Sequence, residues 1–333
     1  MNPKKRILII KLSSFGDIFH ALPAVNNLKI SLNADIDWVT QPEYVDLVRC
    51  FQVVSEVIPF PRHEFLTRGL EFLKTLRGRH YDVVIDLQGL LKSAIVARLA
   101  RGARTIGPSF QREGARFFYD AVAGQCDKSR HAVEENQDVV RYLGLPVLPV
   151  SFPVRFPELV IKATVPRVAI VPVSRRTNKN WAANNFFQTA RALQHEFEAS
   201  IFLFGCKADH ALCEGIRSEL MAERPRGIVV NLAGKTSLIE MGGWFAKMNL
   251  VVVNDSGPLH MAVALGIPVV TLFGPTDPRR TGPYGEGHRV ITSKVACRPC
   301  FARVCKLPEV ECMNRISPSD VIEASREVLN KTS

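Results

Sequence analysis

Residues 249–278 read NLVVVNDSGPLHMAVALGIPVVTLFGPTDP, and this stretch decides the fold class. An apolar run ends at Asn254, and a polar junction of Asp255, Ser256 and Gly257 follows. An apolar helix begins after Pro258, and a second apolar run, IPVVTLFG, ends at Gly274. Runs this short and this uniformly apolar belong to strands buried on both faces. Working outward, the same kind of run recurs as RILIIKL near 6–12, DVVIDLQG at 82–89, RVAIVPVS at 167–174 and SIFLFG at 200–205. Helical spacing fills the gaps, in ALPAVNNLKISL, EFLTRGLEFLKTLRG, NNFFQTARALQHEF and SLIEMGGWFAKM. Strand and helix in alternation predict an α/β architecture of doubly wound, mostly parallel sheets.

A chain of 333 residues is long enough for two such domains. Prolines gather across 144–166, GLPVLPVSFPVRFPELVIKATVP, where helical periodicity stops before a fresh strand at Arg167. The expected domains are therefore 1–155 and 156–333, with an amphipathic final helix from about Pro318 to Asn330 that allows a return to the first domain. Two open sheets facing across a cleft would turn their strands' carboxyl ends toward a shared ligand. No run approaches the ~20 apolar residues of a membrane span. The opening MNPKKRILIIKL has too short an apolar core and no small-residue cleavage site, so it reads as a buried strand of a cytosolic protein.

The formal net charge is +11. Between Arg62 and Arg116 stand eleven Lys/Arg against five acids, Glu64, Glu71, Asp82, Asp86 and Glu113. Such a field would attract an anionic partner, and a solvated basic surface is the alternative. Nucleic acid is disfavoured, because the segment lacks interleaved aromatics and no helix-turn-helix, zinc-finger or RNA-module signature appears. Of eight cysteines, four fall in CRPCFARVCKLPEVEC as Cys297, Cys300, Cys305 and Cys312. The CxxC spacing permits a structural zinc or an iron–sulfur cluster. Cys50, Cys126, Cys206 and Cys213 read as small buried apolar residues.

Three junctions carry candidate chemistry. In LIIKLSSFGDIFHALPAV, Ser13, Ser14 and Gly16 let a ligand approach the backbone at a helix start. Asp17 fits either a first-turn helix cap, the better account on spacing alone, or a base taking a proton from an attacking hydroxyl. In the stretch quoted first, Asp255, Ser256, Gly257 and His260 meet at a helix N-terminus beside a second polar loop, Gly274 to Asp277, which suits phosphate oxygens. A cap for Asp255 and a satisfied core histidine for His260 are the plainer alternatives. In VPVSRRTNKNW, Ser174, Arg175, Arg176 and Lys179 precede a helix with Thr177, Asn178 and Asn180. Arg176 and Lys179 would clamp a departing diphosphate by fixed charge, without a metal.

With these residues in view, the chain resembles the lipopolysaccharide heptosyltransferases along nearly its whole length. KLSSFGDIFHALPAV is similar to their first-strand signature, DVVIDLQGLLKSA to a second signature of the acceptor domain, and VNDSGPLHMAVALGIPVVTLFGPTDP to the donor-site signature. The resemblance implies a GT-B fold of two facing Rossmann-like domains, acceptor-binding then donor-binding. It implies inverting transfer of heptose from ADP-heptose to Kdo-lipid A or heptosyl-Kdo-lipid A, with no cofactor required.

Carried over by residue, it makes Asp17 the general base, reversing the preference from spacing. It makes Lys179 a phosphate ligand, Asp255 a ligand of the sugar or its phosphate, and Ser256, Gly257 and His260 part of the diphosphate site. Ser174 and Arg175 fall where small hydroxyl residues are usual, so Arg175 departs from the pattern. Serine at position 256, where threonine is usual, and the cysteine-rich tail also depart from the type I enzymes. Ser14, Gly16, Arg62, Gln88, Lys92 and Arg112 are the expected acceptor contacts. The basic segment fits acidic sugars and lipid phosphates, and predicts transient contact with the inner-membrane surface. Flotation with anionic liposomes would test that contact. Another sugar from a UDP donor, or a non-catalytic nucleotide-binding scaffold, are the competing readings. A dehydrogenase is disfavoured because SSFGD lacks GxGxxG spacing.

Overall fold

The computed structural model describes residues 4–163 and 166–332. Its chain divides into two compact units, Met1–Arg155 and Phe156–Ser333. Among the described residues each unit holds one six-stranded, all-parallel sheet. In the first unit the strands are β1 (Arg6–Ile10), β2 (Asp35–Thr40), β3 (Glu56–Pro59), β4 (Val83–Asp86), β5 (Thr105–Pro108) and β6 (Ala121–Ala123), in the order β3-β2-β1-β4-β5-β6. In the second they are β7 (Arg167–Val171), β8 (Ser200–Leu203), β9 (Val229–Asn231), β10 (Leu250–Asn254), β11 (Val269–Phe273) and β12 (Arg289–Thr292), in the order β12-β11-β10-β7-β8-β9. Both orders are 3-2-1-4-5-6 within their unit, the doubly wound arrangement. The reversal of strand order falls between β1 and β4, and between β7 and β10, so loops leaving those four strands are the natural places for ligands.

The central strands follow from sequence. Ile7 to Ile10, Val168 to Ile170 and Leu250 to Val253 are fully buried, as parallel strands covered by helices on both faces require. The helices Phe15–Leu32 and Ala183–Phe197 pack on these sheets through Phe19, Leu22 and Val25, and through Phe186, Ala190 and Leu193. The first helix ends at Asn33, whose left-handed conformation lets its N–H reach the carbonyls of Ile30 and Lys29.

The last helix, Pro318–Thr332, packs against the helix Ala183–Phe197 and strands β10 to β12 within the second unit, with Val321, Val328 and Leu329 in that core. Its amphipathic face is buried there. Among the four cysteines read as buried, only Cys213 is. Cys50 is half-buried, and Cys126 and Cys206 are exposed because they lie in turns that follow β6 and β8.

Candidate functional site in each unit

In the first unit the strand-end loops meet at the strand reversal. Ser13 follows β1, and its N–H donates to Gln88 Oε1 (2.9 Å) in the loop after β4. Ser14 precedes the helix Phe15–Leu32. Both its N–H (3.0 Å) and its hydroxyl (2.7 Å) donate to Asp17 Oδ2, so the cap geometry is present. The other oxygen, Oδ1, stands 3.9 Å from Nδ1 of buried His20, and the Asp17 side chain is 46% exposed. The cap therefore uses one carboxylate oxygen and orients the other.

Beneath this turn lies a buried layer that sequence reasoning missed. Lys11, at the end of β1, is buried and donates from Nζ to Leu87 O (2.6 Å). Burial lowers its pKa, opposed by the carboxylates of Asp17, Asp86 and Glu135. Asp86 closes β4. Its fully buried carboxylate accepts from Tyr119 Oη (2.6 Å) and from the N–H groups of Gln88 (2.7 Å) and Gly89 (3.1 Å). Burial raises the Asp86 pKa against those hydrogen bonds. Tyr119 fits because Gly107 has no side chain: a Cβ there would sit 2.1 Å from the ring. No local pattern signals these partners, since Lys11 and Leu87 are 76 residues apart and Tyr119 and Asp86 are 33 apart.

The other expected acceptor contacts share this sheet edge. Lys92 begins the helix Leu91–Leu99, and its pKa is lowered by burial and then by the like charge of Arg62, with Glu43 and Glu113 opposing. Arg62 and Lys92 thus form a neighbouring pair of cations. Arg62 also lines a cavity of ≈ 300 Å³ with Glu43, Pro59, His63 and Phe72. The Arg112 backbone N–H donates to Gly89 O (2.8 Å), tying the loops after β4 and β5 together while the side chain stays exposed. Gly16 is buried in the first turn of its helix.

In the second unit, the loop after β7 is folded on itself by Asn180. Its Oδ1 accepts from the N–H (2.7 Å) and hydroxyl (2.8 Å) of Ser174, and that hydroxyl also reaches Arg176 O (2.9 Å). Ser174 is therefore a structural pin. Arg175 and Arg176 project as exposed side chains. Lys179 forms a short ion pair with Asp255 Oδ2 from the loop after β10, and Thr276 Oγ1, from the loop after β11, donates to the same oxygen (2.5 Å). Asp255 is the point at which the three loops meet. Asn254 adds a second tie, donating to Pro172 O (2.8 Å). Ser256 occupies the N-cap position of the helix Gly257–Ala264, and among the described residues its buried hydroxyl has no hydrogen-bond partner. His260 is buried in the same helix.

The cysteine-rich segment wraps these loops. Arg298 Nε donates to Gly274 O (2.7 Å) and its Nη2 to Thr276 O (3.4 Å), while the N–H groups of Cys300 and Phe301 donate to Pro275 O (3.1 and 2.8 Å). Asn178 Nδ2 donates to Ala302 O (2.9 Å), so the loop after β7 is held as well. Among the described residues no three His, Cys, Asp or Glu side chains gather as an ion would require. Cys297 and Cys300 are exposed, whereas Cys312 is buried in the core, where burial and then the neighbouring thiols push its pKa up.

Residues 70–311 match the sequence profile of glycosyltransferase family 9 (heptosyltransferase). The chain belongs to that family. It is 26% identical over 331 residues to lipopolysaccharide heptosyltransferase 1 of Pseudomonas aeruginosa, covering 92% of this chain and 89% of the relative. It is 29% identical over 319 residues to lipopolysaccharide heptosyltransferase 1 of Escherichia coli K12, covering 86% and 92%. Among solved structures, E. coli heptosyltransferase WaaC with ADP superposes with a TM-score of 0.77 at 24% identity, over 97% of this chain and 99% of that one. This heptosyltransferase-family chain is thus a glycosyltransferase with a GT-B-like fold, in a family that acts on the lipopolysaccharide core.

Proposed function

We propose that this glycosyltransferase moves heptose from ADP-heptose, with inversion, onto the inner core of lipopolysaccharide, Kdo-lipid A or heptosyl-Kdo-lipid A, at the cytoplasmic side of the inner membrane. The observation that carries the reading is Asp17, whose Oδ2 is held by both donors of Ser14 while Oδ1 stays available. An acceptor hydroxyl gives its proton to Asp17, and its oxygen bonds to the anomeric carbon. The bond from that carbon to the phosphate oxygen breaks, and ADP leaves with the electron pair. One displacement by one base inverts the centre.

Lys179 has three N–H donors, of which Asp255 takes one, leaving two for diphosphate oxygens. Arg176, the Ser256 hydroxyl and the N-terminus of the helix Gly257–Ala264 add donors and positive potential, and His260 lies in the same helix. Arg62 and Lys92 suit the acidic sugars of the acceptor. An ADP-type donor is favoured by the relatives solved with ADP and with ADP-2-deoxy-2-fluoro heptose.

Calorimetric titration with ADP and with UDP in chelator-treated buffer is the test. ADP should bind at least about tenfold more tightly, and turnover of ADP-heptose should survive chelation. A UDP preference would reassign the donor. Donor binding without transfer to any core acceptor would leave only the scaffold reading.

A further inference from the structure

Lys11 interrupts the apolar run RILIIKL where β1 ends, and folding buries it: its side chain is 5% exposed, between the fully buried Ile10 and Leu12. Leucine or isoleucine would fill such a position without desolvating an ammonium, so the charge has to be stabilised by what surrounds it. Packing alone does not ask for it, because the Leu87 N–H already ties the end of β4 to Ile10 O (2.9 Å). Lys11 Nζ donates to a carbonyl, Leu87 O (2.6 Å), and lies 5.9 Å from the centre of the Phe110 ring.

Three carboxylates act on this charge, Asp17 first, then Asp86 and Glu135. Two of them have other support. Asp86 accepts from Tyr119 Oη and from the N–H groups of Gln88 and Gly89, and Glu135 lies in the field of Arg130, which pairs with Asp138 (2.8 Å). Asp17 receives the neutral donors of Ser14, with His20 Nδ1 at 3.9 Å from its other oxygen and the His131 ring edge-on to His20 at 5.5 Å between centres. Asp17 is therefore the carboxylate that Lys11 is best placed to serve. A second link is mechanical. The ammonium holds Leu87, the next residue Gln88 holds the N–H of Ser13 (2.9 Å), and Ser14 holds Asp17.

We propose that Lys11 is a positioning residue for Asp17: its ammonium fixes the Ser13–Ser14 turn through Leu87 and Gln88, and its charge keeps the Asp17 carboxylate ionised when an acidic acceptor is bound. The inference rests on the reading of Asp17 as the base. Acidic sugars beside Asp17 and the exclusion of water both favour the protonated, inactive carboxyl, and a buried cation opposes both.

Carbon-13 NMR of protein labelled at the aspartate side-chain carboxyl tests it, with the Asp17 signal assigned by its loss in Asp17→Asn. Turnover against pH is followed alongside, from ADP-heptose to deacylated Kdo-lipid A. In Lys11→Met the Asp17 signal should titrate about one pH unit higher than in wild type. Turnover at pH 7 should fall about tenfold, its acidic limb should move up with the titration, and ADP binding should not change. Lys11→Arg keeps the charge and should hold the titration near that of wild type. Because Lys11→Met strands Asp86 without a nearby ammonium, Lys11→Met/Asp86→Asn takes its place if the single variant does not fold. The double variant should regain unfolding temperature but neither turnover nor the wild-type titration of Asp17. The titration is read without substrate, so it decides the matter whichever core acceptor is used. An unmoved Asp17 titration in Lys11→Met, or turnover restored by adding Asp86→Asn, would make Lys11 a counter-ion of the buried layer and overturn the inference. Wild-type turnover in Asp17→Asn would overturn the base reading and this inference together, whereas lost turnover there with an unmoved titration in Lys11→Met would overturn this inference alone.

Discussion

Asp17 and Asp255 follow central parallel strands in a 3-2-1-4-5-6 sheet, one in each unit, and each lies beside a helix N-terminus. Their surroundings assign them opposite work. Asp255 is buried, and one oxygen takes both the ammonium of Lys179 and the hydroxyl of Thr276. That carboxylate is committed to joining three loops. Asp17 is nearly half exposed, receives the neutral donors of Ser14 on one oxygen, and presents the other beside His20. A carboxylate without a cationic partner in hydrogen-bond contact and with a free lone pair can accept a proton, whereas one locked to an ammonium positions its neighbours. The same residue type at the same kind of junction is therefore an anchor in the second unit, and in the first it keeps an oxygen for the base role proposed above.

Substitutions that separate cap from base break this comparison most sharply. Asp17→Ala should lower kcat by about 10²- to 10⁴-fold with ADP affinity unchanged. Asp17→Asn retains an oxygen for Ser14, so it should keep the wild-type unfolding temperature yet lose as much turnover. If Asp17→Asn were as active as wild type, Asp17 would be a cap and nothing more. In the second unit, Lys179→Ala leaves Asp255 buried with its charge unopposed. The expected cost is about 3 kcal/mol in unfolding free energy, together with weaker ADP binding by calorimetry. Arg298→Ala should act on the same site at one remove. By releasing the carbonyls of Gly274 and Thr276 it should weaken ADP binding about tenfold, with little change in kcat at saturating donor. Arg298→Lys cannot reproduce the two-carbonyl contact and should recover only part of the affinity.

What could be read from sequence divides along physical lines. The six apolar runs correspond to β1, β4, β7, β8, β10 and β11, which include the two central strands of each sheet, where burial on both faces imposes an uninterrupted signal. The outer strands leave a weaker trace. β6 is Ala121–Ala123, β9 is Val229–Asn231, and β12 alternates partly buried with exposed residues, so nothing in their composition separates them from loops. Junction residues such as Asp17, Lys179 and Asp255 were legible because polar residues contiguous with a strand end mark a loop at the sheet's ligand edge. Lys11, Tyr119 and Arg298 were not. Each acts through a partner far along the chain, and each sits in a stretch whose local pattern has another sufficient explanation: strand end, helical turn and CxxC. The four tail cysteines differ in exposure in a way their spacing does not signal: Cys312 is buried in the core, Cys305 is half-buried, and Cys297 and Cys300 are exposed.

A smaller effect concerns the support beneath Asp17. Gly107→Ala places a methyl where the Tyr119 ring lies, and Tyr119 must leave Asp86 to accommodate it. Overpacking of this kind costs about 1–3 kcal/mol, measurable by denaturant unfolding. Turnover should fall with it if the Asp86 layer holds Lys11 and the Ser13 turn in place. A comparable Gly274→Ala, which meets Met313 Sδ at 2.5 Å and Cys312 Sγ at 3.1 Å, should instead weaken ADP binding, because it disturbs the loop that carries Thr276.

Acid should separate the two units by the least margin. In the second unit burial lowers the His288 pKa below 6.5, so the unfolded chain binds that proton more readily and stability falls as pH drops through 6.5. Glu214 is held down to about 2, first by Arg217 and then by Asn231. The stability it supplies is complete above its ordinary 4.5 and is lost as pH falls from there toward 2. Glu196, Glu240 and Asp277 are lowered in the same sense, by Arg326, the Ser237 backbone and Arg279 respectively. In the first unit Asp127, lowered by Ser129, follows this pattern, but Asp86 opposes it. Its raised pKa means that the folded state takes up the proton first, so between neutrality and its ordinary 3.8 acid relieves a buried charge and favours folding. Hydrogen exchange followed from pH 7 to pH 3 should therefore show protection lost in β7, β10 and β11 before β1 and β4. Asp86→Asn should narrow that gap from one side and Glu214→Gln from the other. Loss of protection in the first sheet ahead of the second would show that Asp86 does not govern the acid response of its unit.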